Sequence, residues 1–78
     1  MTTELLKELG FIPTEPTVVE EDFSYDVYRT FINGRELDCT IEYKQDGTYH
    51  THYFELNGEM MQVKNLTIDD INYLKSLL

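Results

Sequence analysis

The chain has 78 residues, enough for one domain with a small core. Fifteen Asp and Glu against six Lys and Arg give a formal net charge of −9, which repels nucleic acid and anionic membranes and attracts basic partners. Hydrophobic residues make up 41%, an ordinary globular share, and the single cysteine, Cys39, excludes an intrachain disulfide and a cysteine-based zinc cage.

Thr3 to Leu9 reads as a short helix. Thr2 or Thr3 can cap its start, Glu4 suits the positive end of the helix dipole, and Gly10 suits the C-terminal cap. Leu5, Leu6 and Leu9 form one apolar edge, extended by Phe11 and Ile12. Two turns are too short to stand alone, so this helix must dock. It lacks the basic start and continuous apolar run of a signal peptide, and a cytoplasmic setting is expected.

Pro13 to Asp22 is a connector. Pro13 and Pro16 forbid helix and favour an extended path, with a short edge strand expected near Val18. Glu20, Glu21 and Asp22 close it as an acidic cluster.

From Phe23 to Lys64 the pattern is an antiparallel meander. Asn33-Gly34, Asp46-Gly47 and Asn57-Gly58 are hairpin signals, since both central residues of a type I′ turn need positive φ. Strands are expected over Phe23–Ile32 and Arg35–Lys44. Two-residue loops at the second and third turns pair Ile41 with His52, Cys39 with Phe54, Leu37 with Leu56, Phe54 with Met61 and His52 with Val63. All of these then share one face, which agrees with the apolar alternation. The first hairpin fits this rule less well. A bulged three-residue loop, pairing Phe31 with Leu37 and Val27 with Ile41, puts the more apolar side of the first strand inward and is the expected register. Arg29 then sits on the core side.

Thr67 to Leu78 reads as a second helix. Thr67 and Asp70 form a variant capping box, and Ile68, Ile71, Leu74, Leu77 and Leu78 make its apolar stripe. The expected architecture is one α+β domain over residues 1–78. A four-stranded antiparallel sheet carries both helices on one face, in the order αββββα.

Catalytic motifs are missing, and no enzyme is expected. His50 and His52, two apart on a strand, share a face, and such a pair can chelate a metal. The further spaced ligands of a zinc site are absent from the pattern, so no metal and no cofactor is expected. The stronger signal is the outward face of the sheet. There Tyr49, Tyr53 and Met60 stand among Glu42 and Glu55, residue types that mix anchors with a charged rim. With Glu20, Glu21 and Asp22 these are the candidate partner-binding residues. The expected function is a small acidic protein-binding module. In its sharper form it is an inhibitor of the kind carried by phages and mobile elements, occupying a basic groove by mimicking nucleic-acid charge. That form is a class-level analogy. The expected partner is a protein with a basic surface, with no direct binding to nucleic acid or membrane. The alternatives are a homo-oligomeric structural domain, such as a homodimer, and a metal-binding or catalytic domain centred on His50 and His52.

Overall fold

A computed structural model describes residues 3–63 and 65–77, so Met1, Thr2, Lys64 and Leu78 lie outside it. The described chain folds as α1 (Thr3–Glu8), β1 (Ile12–Pro13), β2 (Val18–Val19), β3 (Phe23–Ile32), β4 (Arg35–Lys44), β5 (Tyr49–Leu56), β6 (Glu59–Met60) and α2 (Ile68–Leu77). The class is α+β, with an antiparallel sheet and one helix near each end of the chain. The sheet has six strands, not four. The two additional ones are β1 and β2, which both run along the outer edge of β3, at Tyr28–Arg29 and Ser24–Tyr25. Between them the Thr14 N–H still reaches the Val27 carbonyl at 2.9 Å. They therefore act as one edge strand interrupted around Pro16. Pro13 is tolerated there because an edge position has an outward side that needs no ladder bond.

The expected register of β4 against β5 is found: Leu37 pairs with Leu56, Cys39 with Phe54 and Ile41 with His52. The loop that produces it differs from expectation. Lys44 N–H bonds the Thr48 carbonyl at 2.7 Å, which leaves a three-residue loop, Gln45 to Gly47, with Gly47 at φ +87°. Asp46 Oδ1 accepts from the Thr48 N–H at 3.0 Å and from its hydroxyl at 2.6 Å. A β-bulge follows, because Tyr43 pairs with Tyr49 while Glu42 pairs with Thr51, leaving His50 as the extra residue. Loop and bulge shift the register in opposite senses, so the pairing from Thr51 onward matches that of a two-residue loop.

The first hairpin overturns the bulged register. Tyr28 pairs with Cys39, Thr30 with Leu37 and Ile32 with Arg35, around a two-residue turn. Asn33 (φ +50°) and Gly34 (φ +84°) both take the positive φ of a type I′ turn, as do Asn57 and Gly58 at the third turn. Tyr28 and Ile32 therefore face the core, while Phe23, Tyr25, Val27, Arg29 and Phe31 face outward. The more polar inward side of β3 is satisfied locally: Thr17 donates to Asp26 at 2.5 Å, and Asp26 also hydrogen-bonds Tyr43.

The core is one cluster joining Leu6 and Leu9 of the first helical segment, Phe11, Tyr28, Ile32, Leu37, Cys39, Ile41, Phe54, Leu66 and Ile71. Leu6, Ile32, Leu37, Cys39 and Phe54 are completely shielded from solvent, and Phe11 nearly so. Both helices contribute buried side chains to the inward face. Ile12 is exposed rather than part of the α1 edge. The third turn continues as expected to Met61, whose N–H bonds the Phe54 carbonyl at 2.8 Å, but Val63 is exposed and does not join the core. In α2 the capping box closes reciprocally: Asp70 N–H to Thr67 Oγ1 at 3.1 Å, and Thr67 N–H to Asp70 Oδ2 at 2.9 Å. Of its expected stripe Ile71 is buried and Leu74 partly so, while Ile68 and Leu77 are exposed. The molecule is elongated, 40 × 21 × 19 Å.

Candidate functional site

The outward face of the sheet follows from the pairing. Its cross-strand rows are Tyr25–Glu42–Thr51, Val27–Thr40–Tyr53, Arg29–Asp38–Glu55–Met60 and Phe31–Glu36. Phe31 is 58% and Met60 61% exposed, and Phe23 at the far end is 40% exposed. Tyr25, Val27 and Tyr53 are half-buried by their neighbours. Along β3 the outward positions Phe23, Tyr25, Val27 and Phe31 are apolar or aromatic, interrupted by Arg29, and Tyr53 and Met60 stand across the sheet from them. The expectation that Arg29 sits on the core side of the sheet is corrected by these rows.

Arg29 is held in the middle of this face. Its Nε lies 2.7 Å from Asp38 Oδ1, and its Nη2 lies 3.1 Å from Asp38 Oδ2 and 3.6 Å from Glu36 Oε2. The Asp38 hydrogen bond, reinforced by the surrounding carboxylates, pushes the guanidinium further above its ordinary range, so it stays charged and forked. Its charge is thereby committed to Asp38 and Glu36. Glu42 and Glu55 have no ion-pair partner within 4 Å among the described residues. Tyr53 hydrogen-bonds Thr40, and burial, helped by the charges of Glu42 and Glu55, raises its hydroxyl above the ordinary phenol range.

Of the candidate residues, Glu42, Tyr53, Glu55 and Met60 come together on this face. Glu20, Glu21 and Asp22 cluster instead at the β2–β3 turn, closed by Glu20 N–H to the Phe23 carbonyl at 2.8 Å. The turn meets the end of the same face, because Asp22 and Glu42 line one groove there. Tyr49 is the exception. Its pairing with Tyr43 puts it on the inward side, where its hydroxyl lies 2.6 Å from His52 Nδ1. It cannot share a patch with Tyr53. The apolar outward row of β3, from Phe23 to Phe31, was missed in the sequence because the register expected there turned it inward.

The two histidines do not behave as a pair. His52 is buried and packs edge-on against Phe54 at 5.9 Å between ring centres, whereas His50 is the exposed bulge residue. No group of three His, Cys, Asp or Glu suited to a metal is present among the described residues. Cys39 is buried, and burial pushes its thiol up to about 12, far from the reactive thiolate range. No helix among the described residues is long and apolar enough to cross a membrane.

No family model, curated protein or solved structure matches this chain.

Proposed function

We propose that this chain is a small acidic binding module that docks a basic protein surface on the outward face of its sheet. The observation that supports it is the outward face itself, where exposed Phe31 and Met60 and half-buried Tyr53 stand among Glu42 and Glu55 while Arg29 is already tied to Asp38. Apolar anchors inside a carboxylate rim suit a partner whose own contact is apolar at its centre and cationic around it. A partner whose basic groove normally holds nucleic acid satisfies this description, and inhibition by charge mimicry is the sharper form of the proposal. The homo-oligomer reading is less well supported. Two-fold pairing of this face tends to bring carboxylates against carboxylates in a chain of net charge −9.

The test is affinity capture from a native lysate, with and without nuclease, followed by titration of the captured protein. The complex should survive nuclease and weaken steeply as salt rises, because the screening length falls to about 8 Å at physiological ionic strength. Tyr53→Ala should weaken it about tenfold or more, and Glu55→Gln far less, since an aromatic anchor outweighs a single rim charge. Binding that ignores both salt and Tyr53→Ala would overturn the proposal.

A further inference from the structure

The β2–β3 turn and the β4–β5 hairpin lie at the same end of the sheet, where Phe23 pairs with Lys44. A groove of about 390 Å³ lies there, lined by Asp22, Phe23, Glu42, Tyr43, Lys44 and His50. Phe23 is stacked on Tyr25, ring centres 6.1 Å apart and planes within 23°, and is 40% exposed. The groove therefore offers an aromatic surface braced from behind. Asp22 and Glu42 have no ion-pair partner within 4 Å among the described residues. Lys44 also lines the groove, and its charge reaches Asp46 within the 45–47 loop. The Asp46 carboxyl is held below its ordinary range first by the Thr48 hydrogen bonds and then by the charge of Lys44.

We infer that this groove receives the guanidinium group of an arginine side chain from the partner protein. The inference rests on the binding-module reading and names its anchor. A cation is called for because two carboxylates stand beside the exposed ring of Phe23, whose quadrupole also favours positive charge. Guanidinium suits it better than ammonium. It is planar, so it stacks on a ring; it is weakly hydrated, so it leaves water more readily; and its fork matches a carboxylate. Neighbouring Glu20 and Glu21, which line the adjoining hollow with Val19 and Phe23, add to the attraction. A second copy of this chain is a poor occupant because its own net charge is −9.

The probe is the tripeptide acetyl-Gly-Arg-Gly-amide, titrated into the isotope-labelled 78-residue chain and followed by amide NMR shifts. Its citrulline analogue keeps the shape and removes the charge. Saturable shifts centred on Phe23, Tyr43 and His50 are expected, with the citrulline peptide weaker by about tenfold or more. Glu42→Gln and Phe23→Leu should each weaken the arginine peptide several-fold, with the remaining amide spectrum unchanged. Equal binding of the two peptides would overturn the inference. So would shifts spread evenly over every acidic segment, including Glu4, Glu8 and Asp69, or a lysine peptide that binds as tightly as the arginine one. The outcome separates from that of the binding-module test. A groove silent to the peptide, with a partner complex still sensitive to Tyr53→Ala, sinks only the arginine anchor. A groove saturated by arginine, with a complex indifferent to Tyr53→Ala, supports the anchor and sinks the sheet face.

Discussion

Phe54 is the most informative residue to remove. It is completely shielded from solvent, its ring centre lies 6.3 Å from that of Phe11, and it pairs with Cys39 across β4–β5. A buried phenylalanine withholds roughly 150 Å² of apolar surface from water, and at about 25 cal/mol per Å² that amounts to about 4 kcal/mol. An unfilled cavity raises the cost and partial collapse lowers it, so Phe54→Ala should destabilise by about 3–5 kcal/mol. A chain of 78 residues has a total stability of about 4–12 kcal/mol, so the alanine variant will be marginal or unfolded. Phe54→Leu is therefore the graded probe. It loses three buried carbons at about 0.8 kcal/mol each and should cost about 2 kcal/mol. Urea unfolding followed by circular dichroism reads this as a lower midpoint at unchanged slope. A Phe54→Leu cost below about 0.5 kcal/mol, within the range of ordinary surface changes, would refute the packing argument, because Phe54 would then not be at the centre of the core.

Two further perturbations test the turns and the buried thiol. Gly58 sits at φ +84° with open space where a Cβ would go, so Gly58→Ala should cost about 1–2 kcal/mol from backbone conformation alone, and a neutral result in urea unfolding would contradict the type I′ turn. Cys39 titrates near 12 in the folded chain and near 8.5 when unfolded, so its contribution is fully present below about pH 8.5 and is lost as pH rises toward 12, at up to about 1.4 kcal/mol per pH unit. Cys39→Ala should flatten that decline in alkaline unfolding curves. Some slope should remain, because burial also raises Tyr28, Tyr43 and Tyr53.

How much was legible in the sequence depended on whether one side of a strand was clearly wetter than the other. On β4 the alternation of Leu37, Cys39 and Ile41 with Glu36, Asp38 and Glu42 left one answer, and the structure has it. On β3 both sides are partly apolar. Phe23, Tyr25, Val27 and Phe31 looked more like core than Ser24, Asp26, Tyr28, Thr30 and Ile32, yet they face outward. Pattern failed where the outward surface is itself sticky, which is the surface proposed to bind. The polar inward residue Asp26 is answered by Thr17, a partner nine positions away that no local pattern reveals. Tyr49 and His50 were misplaced for a different reason. They lie between the three-residue loop and the bulge, where a register shift is felt that cancels by Thr51. The β1 and β2 edge was only half visible, since Val18 hinted at a strand and Ile12–Pro13 did not.

The proline-broken edge along β3 bears on how the protein behaves at high concentration. A chain with an exposed apolar sheet face is at risk of stacking strand to strand into ribbons. On the β1 side, an approaching strand meets Pro13 and Pro16, which have no N–H to offer, with the ladder interrupted between Thr14 and Val18. Growth of a continuous sheet from that side is therefore blocked by backbone chemistry, independently of charge, and the protection persists in high salt where mutual repulsion fades. The outward face can thus stay adhesive toward a partner while the edge beside it does not template a fibre.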